Sequence, residues 1–250
     1  RRLGEPRRVA YGPTEIEKLD IFRTDKPNAP IFIFTHGGAW LTGDAKEYHF
    51  AAENFVRAGA HYVALDFIAG EAAGGDIRKM AEQVRRGIAW VYKNAASFGG
   101  DPNKLYIAGQ SSGAHLSGVA LVSDWQKEHG ISPDFIKGAT LLSGMYEMKP
   151  VRLSSRSKYV KFDDDMEDSM STIRHIRNLR APVTILYGTN ETPEFQRQSR
   201  EFAAALKAAG KKVTLIEAPN YNHYELQETL GSPISWAGRA ALAMMGLGKA

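Results

Sequence analysis

"AGQSSGAH", residues 108–115, joins two runs of different character. The run before it, KLYIAGQ (104–110), is apolar and reads as a strand. The residues after it predict a helix. Between them, Gly109-Gln110-Ser111-Ser112-Gly113 has the spacing G-x-S-x-G. In a strand–turn–helix context this pattern predicts a cramped turn that stands the Ser111 side chain clear of the backbone. A helix beginning at Ser112 would aim its free amide N–H groups and its positive dipole end at the same spot. Chance produces the spacing readily in a chain with 24 glycines, so the surroundings must support it.

They do so first at FTHGGAW (34–40), where the apolar run PIFIFTH (30–36) gives way to a loop. Adjacent glycines weaken a strand, so this place needs bare backbone. When a serine attacks a carbonyl, negative charge develops on the carbonyl oxygen. Fixed N–H donors aimed at that oxygen are usually the largest catalytic contribution, each worth about 2.7–4 kcal/mol. The N–H groups of Gly38, Ala39 and Ser112 are the predicted donors, with Gly37 making the turn and His36 bracing the loop. A plain glycine turn is the blander reading.

A serine hydroxyl is a poor nucleophile without a base. Seven histidines are available. His115, four residues past Ser111, would be carried down the helix and reads as a packed residue. His223, in APNYNHYELQETL, follows the last strand-like run and precedes a helix. When the serine sits on such a turn, acid and histidine follow it in that order. Only His223 leaves room for an acid on a strand-end loop between. Glu191, after PVTILYG (182–188), is the predicted acid, and Glu194 is its rival. The acid would fix the imidazole tautomer and stabilise the imidazolium.

Five further runs read as strands: KLDIF (18–22), AHYVALDF (60–67), KGATLLSG (137–144), PVTILYG (182–188) and KKVTLIEA (211–218). The runs at 18–22 and 30–36 are close enough to pair as a hairpin. Most runs are continuously apolar, as in strands buried on both faces. Helices are expected over 76–100, where Ile77, Met80, Val84, Ile88 and Val91 recur at three- and four-residue spacing before Gly99-Gly100, and over 193–210. Alternating strands and helices predict an α/β fold, a mainly parallel twisted sheet covered on both faces, in a single domain over 1–250. The polar stretch 149–178 interrupts the rhythm and is expected as a small lid, or else as a long surface connection. Trp40, Met145 and Tyr146 fall on loops at the expected mouth of the site, where they could line an acyl or aryl pocket or simply pack.

Composition sets the remaining bounds. A chain that is 43% hydrophobic and 24% charged is ordinary for a globular protein. It has no cysteine, so thiolate metal sites and disulfides are excluded. The formal charge of +4 is scattered, which argues against a nucleic-acid partner. No stretch approaches the ~20 apolar residues that span a bilayer. No signal-peptide pattern opens the chain, and a cytoplasmic location is expected. Since the first residue is Arg1, an upstream address could be missing. A homodimer is left open, and no metal or cofactor is expected.

The stretches YGPTEIEKLDIF, HGGAW, DPNKLYIAGQSSGAHL, LLSGMYEMKPV, ETPEFQRQS and NHYE together resemble the α/β-hydrolase superfamily. The resemblance is to the esterase and lipase group that includes hormone-sensitive-lipase-like carboxylesterases and animal-type kynurenine formamidases. SGMYEMKPV and ETPEFQRQS resemble the formamidase branch in particular. The resemblance implies an α/β-hydrolase fold, a Ser111–Glu191–His223 triad and an oxyanion hole at Gly38 and Ala39. It implies a serine hydrolase acting on a small-molecule ester, or alternatively on an aryl formamide or other amide. A non-catalytic ligand-binding relative of the same fold is the rival from another class.

Overall fold

Eight strands form one sheet in this computed structural model, which describes residues 3–248. They are β1 (Arg7–Ala10), β2 (Lys18–Phe22), β3 (Ala29–Thr35), β4 (His61–Leu65), β5 (Gly100–Gln110), β6 (Ile136–Leu142), β7 (Val183–Gly188) and β8 (Val213–Ala218). Their spatial order is β1-β2-β4-β3-β5-β6-β7-β8. Strands β4, β3 and β5 to β8 pair in parallel; β1 with β2 and β2 with β4 pair antiparallel.

The expected hairpin of 18–22 with 30–36 does not form. Strand β4 lies between the two, antiparallel to β2 and parallel to β3, with Ile21 opposite Val63 and Val63 opposite Ile33. Residues 61–65 are buried throughout, as suits a strand paired on both edges. Strand β1, with the sequence RRVA and mostly exposed, carries no apolar run to announce it.

The continuous apolar strands divide between two cores, because successive side chains leave opposite faces. Ile31, Ile33, Val63, Leu65, Leu105, Ile107 and Ile185 join one cluster. Phe32, Phe34, Tyr62, Ala64, Ala108 and Leu186 join the other. The helices are α1 (Ala52–Ala58), α2 (Ile77–Asn94), α3 (Ser112–Val122), α4 (Trp125–His129), α5 (Met148–Arg152), α6 (Asp164–Ser169), α7 (Pro193–Ala208), α8 (His223–Glu228) and α9 (Trp236–Met244). Residues of α2, α3 and α7 fill the first core, and residues of α1, α8 and α9 the second.

Helix α2 starts at Asp76, whose side chain accepts from Arg78 N–H, and its 3₁₀ extension ends at Gly99 with φ 90°. Helix α7 has Pro193 in its first turn, as its sequence predicts. No helix among the described residues is long and apolar enough to cross a membrane.

The stretch 149–178 folds as most of α5, then α6, with 3₁₀ turns at Ser155–Lys158 and Thr172–Asn178. Val151, Val160, Met166 and Met170 send their side chains into the first core. Its charges pair around it. Arg174 meets Glu147 and Glu167, Arg152 meets Asp164 and Glu167, and Arg78 of α2 reaches Asp163 and Asp165.

Candidate active site

Strand β5 ends at Gln110 and α3 begins at Ser112, so Ser111 takes the whole reversal. Its φ of 55° and ψ of −120° lie outside the regions comfortable for an L-residue. Such strain costs roughly 1–3 kcal/mol and persists only where its surroundings impose it. Here Ser111 N–H donates to Leu142 O (2.8 Å) and Ser111 O accepts from His115 N–H (3.1 Å). The Ser111 side chain does not cap its own helix.

The flanking glycines are required by contact. A Cβ on Gly113 would lie 2.1 Å from Thr35 O and 2.3 Å from His36 O, and one on Gly109 would lie 2.4 Å from Gly113 O. The turn is therefore pressed against the end of β3, which brings the HGGAW loop beside it.

In that loop Gly38, Ala39 and Trp40 have φ of 112°, 55° and 64°. The carbonyl of Gly38 accepts from both Leu41 and Thr42 N–H, closing the loop on itself. His36 Nδ1–H donates to Gly37 O at 2.8 Å. A peptide unit is planar and trans, so holding the Gly37 carbonyl fixes the Gly38 N–H in the opposite direction. His36 is buried, stacks on Phe67 at 4.1 Å, and burial lowers its pKa, so it braces the loop as a neutral ring. The N–H groups of Gly38, Ala39 and Ser112 meet no acceptor among the described residues.

Two loops supply the other candidates. Gly188 N–H donates to Glu191 Oε1 (2.7 Å) in the turn after β7. Thr189 and Asn190 N–H donate to Ala218 O and Tyr221 O, lacing that turn to the loop after β8. Asn222 caps α8, with reciprocal bonds between its side chain and Glu225 N–H and between the Glu225 side chain and Asn222 N–H. His223 is therefore the first residue of a fixed helix rather than part of a loose loop.

His223 Nδ1–H donates to Glu191 Oε2 at 2.8 Å, and the acid's side chain is fully shielded from solvent. That bond sets the neutral tautomer with Nε2 unprotonated. Phe195 lies 4.2 Å from the imidazole, ring centre to ring centre. Glu194, the rival acid, is instead held by Arg197 and Gln198.

Three partners of the site carry no sequence signature. Ser143 Oγ donates to Glu191 Oε1 at 2.5 Å. Gln110 Nε2 donates to His223 O at 3.3 Å, tethering the histidine to the residue before Ser111. Tyr48 Oη accepts from Gly37 N–H and donates to Gln227 of α8. Only spatial neighbourhood brings these together; their separations in sequence run from 11 to 179 residues.

Trp40, Met145 and Tyr146 are 1%, 3% and 1% exposed and belong to the first core. Tyr146 stacks on Phe202 of α7 at 4.1 Å, and Trp40 Nε1–H donates to His115 Nδ1 at 3.1 Å. Their packing accounts for them without a pocket. A surface cavity of about 960 Å³ between α1 and α9, lined by Phe50, Arg57, Ile234 and Arg239 among others, includes none of the candidate residues. Among the described residues no cluster of three His, Asp or Glu side chains could hold a metal ion.

A mainly parallel sheet with a strained serine between strand and helix defines an α/β-hydrolase. Residues 19–206 match the family model BD-FAE, and the chain belongs to that family. It is 33% identical over 229 residues to the kynurenine formamidase of Danio rerio, covering 89% of this chain and 75% of that one. To the kynurenine formamidase of Salmo salar it is 31% identical over 246 residues, covering 95% and 81%. To the isoprenylcysteine alpha-carbonyl methylesterase ICME of Arabidopsis thaliana it is 26% identical over 243 residues, covering 88% and 56%. The propionate-bound esterase Est2 of Thermogutta terrifontis superposes with a TM-score of 0.78 at 21% identity, over 100% of this chain and 98% of that chain. The last comparison shows the shared fold; the first two, both kynurenine formamidases, support a hydrolase.

Proposed function

We propose that this chain is a serine hydrolase that forms an acyl-enzyme on Ser111. Ser111 Oγ attacks the substrate carbonyl while His223 Nε2 takes its proton. The resulting oxyanion is received by the N–H groups of Gly38, Ala39 and Ser112. His223 then returns the proton to the leaving group, and water activated by the same imidazole releases the acyl group. Glu191 holds the ring in the tautomer this requires and stabilises its charged form.

The observation that carries the reading is the 2.8 Å bond from His223 Nδ1 to the buried Glu191. It commits one ring nitrogen and leaves the other free, at the start of a helix tethered to the serine turn. Small carboxylic esters are the first substrate class. Aryl formamides are the second, favoured by the formamidase relatives that share about a third of the sequence.

Ser111→Ala should lower kcat on p-nitrophenyl acetate by a factor on the order of 10⁶, leaving only the residual rate that the oxyanion donors and substrate binding supply. A serine-directed phosphonate should add its mass at Ser111 alone. Activity within tenfold of the parent in the alanine variant would remove this mechanism. A panel of short esters, aryl formamides and amides assayed on one preparation ranks the two substrate classes.

A further inference from the structure

We infer that Ser143 is a positioning residue for the Glu191–His223 pair, an inference that rests on reading those two as acid and base. Ser143 directly follows β6, is fully buried, and has a φ of 51°. That left-handed conformation favours glycine, and next Asn or Asp; serine gains little there from its backbone. The hydroxyl supplies the reason for the residue type.

Its backbone is held on both sides. The neighbouring carbonyl, Leu142 O, accepts from Ser111 N–H at 2.8 Å, and Ser143 N–H donates to Leu186 O of β7 at 2.8 Å. The side chain therefore hangs from the same short segment that orients the nucleophile. From there Ser143 Oγ donates to Glu191 Oε1 at 2.5 Å, the short end of an O–H···O⁻ bond.

The carboxylate's two oxygens are used differently. Oε1 receives two fixed donors, Ser143 Oγ–H and Gly188 N–H. Oε2 receives the imidazole. A glutamate has three side-chain torsions and could turn either oxygen, or neither, toward the ring. Two donors from different strand ends pin one oxygen and so present the other. Ser143 thereby sets the distance between the nucleophile's strand and the acid's loop, although it touches neither substrate nor imidazole.

The test uses Ser143→Gly, which suits the left-handed backbone and removes the side chain together with its hydroxyl. On p-nitrophenyl acetate, kcat should fall about 10- to 100-fold, the range for losing a hydrogen bond to a charged group, with KM within about twofold. The loss should vanish in a Glu191→Gln background, so that the double variant runs within about twofold of Glu191→Gln alone. Ser111→Ala, assayed alongside, separates the two levels. If it stays active, the triad reading itself fails. If it is inactive while Ser143→Gly runs within threefold of the parent, or loses activity multiplicatively with Glu191→Gln, the role of Ser143 alone is overturned. A glycine variant without a cooperative unfolding transition would overturn it too, since the hydroxyl would then be a requirement of folding.

Discussion

His115 lies one helical turn behind Ser111 and has no solvent exposure. Its Nε2–H donates to Met170 O at 2.9 Å, so its Nδ1 is the unprotonated nitrogen that accepts from Trp40. Only the neutral ring can make both bonds. Burial accordingly pushes its pKa down to about 4. In the unfolded chain the same group titrates near the ordinary histidine value of about 6.5. Above that value the ring is neutral in both states and favours neither. As the pH falls from about 6.5 toward 4, the unfolded chain binds a proton that the folded one resists, and folding weakens by up to about 3 kcal/mol. We expect the unfolding temperature of the parent to drop more between pH 7 and pH 4.5 than that of His115→Gln. Both carry the same carboxylates and His36, so equal drops in the two would refute the buried neutral ring. The spacing from Ser111 predicted this packed histidine, but its partners, Trp40 and Met170, are 75 and 55 residues away in the chain.

Helix α3 is buried along its whole length, with small residues at Gly113, Ala114, Ser117 and Gly118. Those residues let it lie on the sheet closely enough for the serine turn to touch the end of β3. Gly113→Ala would push a methyl group to within 2.3 Å of two main-chain oxygens, neither at the end of a flexible side chain. Overpacking of this kind typically costs about 1–3 kcal/mol, and a backbone clash belongs at the upper end. The unfolding temperature should fall by about 6–12 °C, and on the proposed mechanism most turnover of p-nitrophenyl acetate should go with it, because the serine turn and the HGGAW loop separate. Gly210→Ala meets nothing within 4 Å, and although its φ of 70° strains an alanine, it serves as the comparison for activity, which should stay intact. An unaltered Gly113→Ala enzyme would show that the contact is not needed. All the strands of this sheet except β1 were legible as apolar runs to within a few residues. The pairing of β2 with β4 was not, because a run of apolar residues specifies burial and not neighbour.

Across the molecule, the segment 149–178 is held in two ways. Met166 and Met170 anchor it in the core, and a set of arginines ties its rim. Arg174 is the hub, with Glu147 at 2.5 Å, Glu167 at 3.0 Å and Asp168 at 3.4 Å. Exposed ion pairs contribute little, but the Glu167 side chain is only 8% exposed and loses a partner if the arginine is removed. Arg174→Ala should lower stability by about 1–2 kcal/mol and speed proteolytic nicking within 149–178, whereas nicking elsewhere stays unchanged. Cleavage rates equal to the parent's would mean the methionine anchors suffice. The segment also meets the core through main-chain groups: Met170 O on His115, and Ile173 N–H on Tyr146 O.

The chemistry of this chain is local in its encoding. G-x-S-x-G, HGG and the capping box N-H-Y-E each lie within a few residues of sequence. Their order, together with the place of Glu191 after the run 182–188, predicted the candidate serine, acid and histidine, with Glu194 as rival acid. The support around them depends on packing between segments far apart in the chain. Ser143 meets Glu191 across 48 residues, and Gln110 meets the histidine's carbonyl across 113. Such bonds depend on which strand ends lie side by side, and that follows from the burial of two opposite faces at once, a property of the whole sheet that no short stretch contains.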